Sequence, residues 1–440
     1  MSMQFIKKLI PKALLKIIRP IYHGLVAILA SFYFGNPGEK MVVIGVTGTT
    51  GKSSTIAMLA HLLNAAGKKS GFSTTVNFSN GQQTFMNKRG LSMPGGFELQ
   101  KRLQQMHLSG CKYAIIECTS EGLAQNRHLG INFDMAVFTN LSRAHLDAHG
   151  SFGNYKHAKA KLFSLGNLPK KSFFSKKVIG VNFDDAMSGF YLSFKSDEKF
   201  GVTFTKVQTR DASKQFFAQV TKSEPPMEFE VQNTKFSLDL LGVFNVKNAA
   251  LAVACANVLG VDLNQASEAL KNFHGIPGRM EKVPNSSGFQ IIVDYGCEPA
   301  SIQAALEEAS ILPRNRLIHV FGSTGGHRDV SKRFDFGKTS AQYADCIIVT
   351  NDDVYDTDPQ IIAENILEGI NSFKLRKPQY EIILDRRLAI AKALSIAEKD
   401  DIVLITGKGS EQFLVLPDNK RIEWDEVSVI KEELEKLYKV

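Results

Sequence analysis

The sequence predicts an α/β protein of two doubly wound units, and three observations predict it. The first is a strand, a glycine turn and a helix in succession. "MVVIGVTG" is apolar and β-branched, as in a buried parallel strand. "TTGKSS" follows, and "TIAMLAHLLNAAG" carries apolar residues at helical spacing with Gly67 at its end. The second is continued alternation: "YAIIEC" (113–118), "MAVFTN" (135–140) and "VIGVNF" (178–183) are predicted strands with helical stretches between them. The third is a Pro/Gly hinge, "GIPGR" (275–279), beyond which "FQIIVDY", "RLIHVFG", "CIIVT", "YEIIL" and "DIVLIT" start a fresh series.

The expected architecture is a P-loop central domain with a parallel, doubly wound sheet, followed by a C-terminal Rossmann-like α/β domain. Residues 1–38 form a basic and apolar helical segment, 39–276 the central domain and 277–440 the C-terminal domain. Within the central domain, "FGVTFTKV" and "MEFEVQ" alternate polar and apolar residues, which predicts an antiparallel excursion over 200–240. "FNVKNAALAVACANVLG" (244–260) returns to a helix.

The glycine turn misses the standard phosphate-loop spacing. Counting G-x-x-x-x-G-K-[ST] back from Lys52 puts Val46 at the first glycine, with Gly45 one place early and Gly48 two places late. The context nevertheless fits an anion at a helix N-terminus. Lys52 would reach the outer phosphates and Ser53 would ligate Mg²⁺. A tight turn that binds nothing explains Gly48 and Gly51 but not a lysine at the helix start.

Composition narrows the class. A hydrophobic content of 44% and a charged content of 22% over 440 residues suit a folded protein of two or three domains. Five cysteines without a C-x-x-C pair argue against a zinc ribbon or a disulfide framework, and a reducing compartment fits. The net charge is +9, and six Lys/Arg against one Glu place +5 of it in residues 1–40, which leaves a near-neutral body and weakens a nucleic-acid reading. The apolar run Ile21–Phe34 is 14 residues long, short of the ~20 that a spanning helix needs. A span or a signal peptide would also carry the nucleotide loop away from ATP. Two readings of the segment stay open: a helix on the membrane surface with its basic residues toward anionic lipid, or a helical hairpin packed on the nucleotide domain.

A set of motifs in order then resembles a known family. "VTGTTGKSS", "IECTSEGL", "FTNLSRAHLDAHGSFGNYKHAKAKLF", "GVFNVKNAALA", "GRME", "VDYGCEPASI", "GSTGGHRDVSKR", "TNDD" and "GKGSE" are together similar to the Mur ligases. Within them, the nearest type adds the third residue of the peptidoglycan stem peptide. Its nucleotide loop is G-T-x-G-K-[ST], which Gly48, Thr49, Thr50, Gly51, Lys52 and Ser53 match, with Ser54 next.

The resemblance implies an ATP-dependent ligase. Such enzymes phosphorylate a substrate carboxylate, and an amine then attacks the acyl phosphate; cations must neutralise the anions brought together. It implies that Lys52, Glu117, His145 and Lys159 carry the chemistry, and that two Mg²⁺ ions are held by Ser53, Glu117, His145 and a carbamylated Lys159. Histidine is an unusual partner for Mg²⁺, which prefers oxygen. Carbamylation needs a neutral amine, which burial supplies. Asn245, Arg279 and Asp294 are implied contacts of ATP. Ser92, Met93, Pro94, Ser120, Arg127, Arg328, Asp352, Gly407 and Glu411 are implied contacts of the two substrates, a muramoyl peptide or related acid and an amino acid. Asn140 and Ser142 shape the loop before His145. Cytoplasmic placement, at the inner membrane face if residues 1–38 bind lipid, completes the expectation.

Three departures stand out. Ala144 replaces the family's usual aspartate, and Cys297 its usual histidine, with no partner that would make the thiol a nucleophile. Relatives carry a sugar-nucleotide domain ahead of the loop, so recognition of the UDP-sugar is not carried over. Ligases specific for diaminopimelate have D-N-P-R where Asp352, Asp353, Val354 and Tyr355 stand, so the arginine fork is missing. Lysine or ornithine is therefore the expected amino acid, unless Arg386 or Arg387 fills the gap. Alternatives are a polyglutamylating relative and a catalytically silent, membrane-associated ATP-binding protein.

Overall fold

The computed structural model describes residues 12–87, 90–142, 149–205, 212–326 and 328–438. Helix α1 (Lys12–Tyr33) leads into β1 (Val42–Thr47), whose six residues are all buried. The glycine turn then opens α2 (Lys52–Ala65). An edge meander of β2 (Ser70–Ser73), β3 (Asn77–Ser79) and β4 (Thr84–Met86) precedes α3 (Gly96–Leu108). Then come β5 (Tyr113–Glu117), α4 (Ser120–Ala124), β6 (Met135–Phe138), α5 (Phe152–Ala160), β7 (Val178–Asn182) and β8 (Glu198–Thr203). Strands β9 (Lys214–Lys222), β10 (Met227–Val231) and β11 (Thr234–Leu238) close an 11-stranded sheet of order β11-β10-β9-β8-β7-β6-β1-β5-β2-β3-β4.

Strands β5, β1 and β6 are parallel, which puts Glu117, Thr47 and Phe138 at one carboxyl edge. Ligands of open α/β sheets bind at that edge. The antiparallel excursion starts later than the sequence suggests. Strand β8 runs parallel to both β7 and β9, and within the excursion the antiparallel pairs are β9 with β10 and β10 with β11. Alternating polarity reports which face of a strand is wet, not which way the strand runs.

Helices α6 (Val243–Val258) and α7 (Leu263–Leu270) pack on this sheet with α2, through a cluster that includes Leu59, Leu63, Val246 and Leu251. Past the hinge, β12 (Glu281–Lys282), β13 (Gln290–Asp294), β14 (Leu317–Phe321), β15 (Cys346–Val349), β16 (Gln379–Ile382) and β17 (Ile402–Thr406) form a second sheet of order β12-β13-β17-β14-β15-β16, parallel except for β12. Helices α8 (Pro299–Ile311), α9 (Ser331–Tyr343), α10 (Pro359–Ser372), α11 (Arg386–Ile396) and α12 (Glu426–Tyr438) accompany it, and β18 (Phe413–Val415) with β19 (Arg421–Glu423) makes a small hairpin. Among the described residues, no helix is long and apolar enough to cross a membrane.

Candidate active site

The nucleotide loop is shaped by contacts no other residue tolerates. A Cβ on Gly48 would lie 1.9 Å from Thr139 Oγ1, and one on Gly51, at φ +77°, 2.2 Å from Asn248 Oδ1. The end of β6 grips the loop from below. Thr50 N and Oγ1 donate to Asn140 Oδ1 at 3.0 and 3.1 Å, and Asn140 Nδ2 donates back to the Thr50 carbonyl at 3.1 Å. Thr49 N reaches the Asn140 carbonyl at 2.9 Å, Ser142 N donates to Thr49 Oγ1 at 3.0 Å, and Thr49 Oγ1 lies 3.1 Å from Tyr155 OH. Asn140 and Ser142, expected to shape the loop before His145, are bonded here to Thr50 and Thr49 of the nucleotide loop. Ser54 is buried in the first turn of α2.

Two lysines converge on the loop. Lys52 Nζ donates to the carbonyls of Gly48 and Thr49 at 3.1 and 2.9 Å and lies 4.0 Å from Glu117 Oε1. Lys159, buried on α5, donates to the same Gly48 carbonyl at 2.8 Å, its ammonium 4.5 Å from the Tyr155 ring centroid. Burial, and then the charge of Lys52, hold the Lys159 amine well below the ordinary lysine range. Burial lowers Lys52 as well, with Glu117 opposing.

Glu117 ties the nucleotide loop to a second loop. Its Oε2 accepts from Ser53 Oγ at 2.7 Å and from Thr75 N at 2.9 Å. Thr75 Oγ1 donates to Glu117 Oε1 at 2.9 Å and lies 2.6 Å from Ser92 Oγ. Met93 and Pro94 are buried beyond Ser92, and Arg127 holds the Met93 carbonyl at 2.7 Å. Ser120 Oγ lies 3.0 Å from His149 Nε2. The hard oxygens of Ser53 and Glu117, side by side at a helix N-terminus, suit Mg²⁺. His145 lies outside the described residues. Thr75 escaped the sequence reading because its link to Glu117 spans 42 residues and no motif marks it.

The second sheet faces this loop. Arg279, Cys297 and Glu298 stand near enough to bias the proton affinity of Lys52. Arg279 stacks 4.3 Å from the Tyr295 ring centroid. Asp294 is engaged by its own backbone, accepting from Met280 N at 2.9 Å and Gly296 N at 2.7 Å, so its carboxylate sets the turn. Burial pushes the Cys297 thiol up to about 12, so it stays protonated. Asn245 donates to the Leu241 carbonyl at 2.7 Å, while its buried Oδ1 has no partner among the described residues. An orphaned acceptor at the start of α6 fits a nucleobase amine.

Both halves of the chain match one family. Residues 46–256 match the Mur ligase middle domain, and residues 278–409 the Mur ligase, glutamate ligase domain. A Clostridium tetani protein named UDP-N-acetylmuramoyl-L-alanyl-D-glutamate--2,6-diaminopimelate ligase is 34% identical over 415 residues, 94% of this chain and 81% of its own. The chain belongs to the Mur ligase family. The UDP-N-acetylmuramyl-tripeptide synthetase of Roseiflexus sp. is likewise 34% identical, over 93% of this chain and 81% of its own. A solved diaminopimelate ligase of the same name as the Clostridium protein aligns at 28% identity and a TM-score of 0.58, over 90% of this chain and 79% of its own. The Mycobacterium tuberculosis folylpolyglutamate synthase, at 16% identity and a TM-score of 0.65 over 87% and 92%, shares the fold.

As a Mur ligase the chain is an ATP-dependent, ADP-forming ligase that uses Mg²⁺ and makes an amide bond. A cluster of charges gathers after β15 and β17 of the second sheet. Buried Lys408 lies 2.9 Å from Asp353 Oδ1 and 3.6 Å from Asp352 Oδ1, and donates to Glu411. Burial opposes its charge, but Asp352, Glu411 and Asp353 raise its pKa above the ordinary range. Lys408 was legible only as part of "GKGSE". A Cβ on Gly407, at φ +113°, would lie 2.8 Å from Asp352 Oδ2. Tyr355 sits in left-handed backbone at φ 53°; burial and then Asp353 raise the pKa of its hydroxyl, and exposed Arg328 is near enough to oppose them. Neither arginine considered as a replacement clamp is available. Arg386 is buried, donating to both oxygens of Glu426 and to the carbonyls of Asn351 and Thr406, while Arg387 pairs with Glu432 and Glu433.

Proposed function

We propose that this Mur ligase joins an amino acid to the carboxylate of a muramoyl peptide on the cytoplasmic side of the membrane. Glu117 carries the reading: one carboxylate touches Ser53 of the nucleotide loop and, through Thr75, Ser92 of the loop expected to meet the acceptor. The γ-phosphate and the acceptor carboxylate would therefore meet at the same edge of the first sheet. Lys52 neutralises the phosphates as the acyl phosphate forms. Ser53 and Glu117 would hold one Mg²⁺, and His145 with Lys159 a second. The depressed Lys159 amine supports carbamylation, since only a neutral amine takes up CO₂. Bound metal supplies charge neutralisation between the two anions. Arg279 and Asn245 are assigned to ATP, with residues 39–276 as the nucleotide domain, 277–440 as the amino-acid domain and 1–38 as a membrane contact.

The amino acid is assigned to the Lys408 cluster. Three carboxylates surround one ammonium there, so a second positive charge is welcome and a second carboxylate is not. Arg328 is assigned to the α-carboxylate, and Glu411 to a distal ammonium. Lysine or ornithine fits this pocket better than the 2,6-diaminopimelate of the relatives' names. The test measures ADP release and amide product with a muramoyl dipeptide and each amino acid in competition. Lysine or ornithine should be used at least about tenfold better, the discrimination of one charged hydrogen bond. Preference for diaminopimelate sinks the amino-acid assignment alone; no ATP-dependent amide with any amino acid sinks the reaction.

A further inference from the structure

Helix α1 is built inside out. Its small residues face the body: Gly24 lies against Leu129 and Asn126, and Ala27 against Gly96 and Gly130. Ser31 Oγ donates to the Gly130 carbonyl at 2.8 Å. Its large residues face away. Ile18, Ile21, Leu25, Leu29, Phe32 and Tyr33 are all exposed, Leu29 and Phe32 at 67% and Tyr33 at 76%. Their spacing follows the helical repeat, so they form one stripe about 22 Å long at 1.5 Å per residue. A helix that merely packs on a domain buries its large residues; this one buries its small ones and leaves an apolar face uncovered. The same helix carries Lys12, Lys16 and Arg19 and no carboxylate. Apolar stripe and pure positive charge together fit an anionic bilayer, with Tyr22 and Tyr33 suited to the headgroup level.

The seat of α1 gives this face its meaning. Ala27 touches Gly96, the first residue of α3, and Phe97 packs edge-on to Phe34 at 5.0 Å between ring centroids. The acceptor loop Ser92–Gly95 runs directly into that contact. Asn126 Nδ2 donates to the Pro20 carbonyl at 3.4 Å, and its neighbour Arg127 holds the Met93 carbonyl. The lipid-facing helix and the acceptor loop are thus one packed unit.

We infer that α1 seats the enzyme on an anionic membrane so that the acceptor loop meets a muramoyl peptide anchored in that membrane by a lipid chain. The inference rests on the ligase reading above and adds the acceptor's physical state. Co-sedimentation of the full chain is measured with vesicles of phosphatidylcholine alone and with added phosphatidylglycerol. Ligation is measured with one synthetic muramoyl dipeptide, presented in solution or on an alkyl-phosphate chain in the same vesicles. The expected result is binding to the anionic vesicles that weakens with salt, and at least tenfold higher kcat/KM for the anchored acceptor. Leu25→Asp with Leu29→Asp changes two exposed side chains. It should abolish both effects and leave turnover of the soluble acceptor unchanged. Absence of vesicle binding, or dimerisation through the stripe in its place, overturns the docking. Equal use of the two acceptors by vesicle-bound enzyme overturns the anchored acceptor. Vesicle binding without turnover of either acceptor overturns the ligase reading and leaves the docking standing.

Discussion

Lys52 donates to two carbonyls of its own loop while Glu117 stands 4.0 Å away, so its ammonium waits among acceptors that phosphates would replace. Lys52→Ala should lower kcat/KM by about three orders of magnitude or more. Folding should change little, because the Gly48 carbonyl keeps its bond from Lys159 at 2.8 Å and Thr49 is only half-buried. Urea unfolding monitored by circular dichroism, alongside the ADP assay, checks both halves. Another buried base bears on stability. His319 lies between Ser340 Oγ at 2.8 Å and Thr406 Oγ1 at 3.0 Å, and burial, then Arg386, push it down to about 3. The unfolded chain, with an ordinary histidine near 6.5, binds this proton first. Its contribution is therefore present above pH ~6.5 and lost as pH falls toward about 3, by up to ~1.4 kcal/mol per pH unit. His319→Gln keeps a donor and an acceptor and should flatten the acid limb of the stability curve by that slope; parallel limbs for the two proteins would refute it.

At the level of elements, α1 and α3 meet without room to spare. A Cβ on Gly96 would stand 2.4 Å from Ala27 Cβ and 2.6 Å from Ala27 Cα, a backbone atom that cannot rotate away. Gly96→Val should lift α1 from its seat at a cost of about 1–3 kcal/mol in local docking. Hydrogen exchange should then show lost protection over the described part of α1 and the 126–130 loop, with the sheets unchanged. Elements were the most legible scale of this chain. The β1–loop–α2 unit could be read because strand, turn and helix signals are contiguous. The direction of β8 could not, since it depends on partners the alternation does not encode.

For the molecule as a whole, the loop after β4 touches the β18–β19 hairpin at the site. Gly90, at φ +62°, places its α-carbon so that a Cβ would lie 3.0 Å from Phe413 Cε1 and 3.8 Å from Glu411 Oε1. Gly90→Val should raise the KM for the amino acid at least fivefold, about 1 kcal/mol, with little change in the KM for ATP. Equal changes in both would show that the contact sets the whole domain arrangement. Long-range meetings of this kind explain what the sequence left unread. Lys159 was placed by motif order, yet its bond to the Gly48 carbonyl spans 111 residues; Thr75 and the locked Arg386 had no motif to announce them.

The shared carboxylate of Glu117 has a kinetic consequence. In this arrangement its two oxygens are occupied by Ser53 and Thr75, and Thr75 in turn holds Ser92. Ser53 and Glu117 would hold the metal through these same oxygens, so binding it would rearrange the latch on the acceptor loop. Loading of the nucleotide side thereby prepares the acceptor side, and the two substrates are not independent visitors. The expected order is nucleotide before muramoyl peptide, because Ser53 and Ser92 are linked through the one Glu117 carboxylate. Dead-end inhibition should show it: a non-hydrolysable nucleotide competing with ATP, yet leaving the acceptor's apparent affinity tighter rather than weaker.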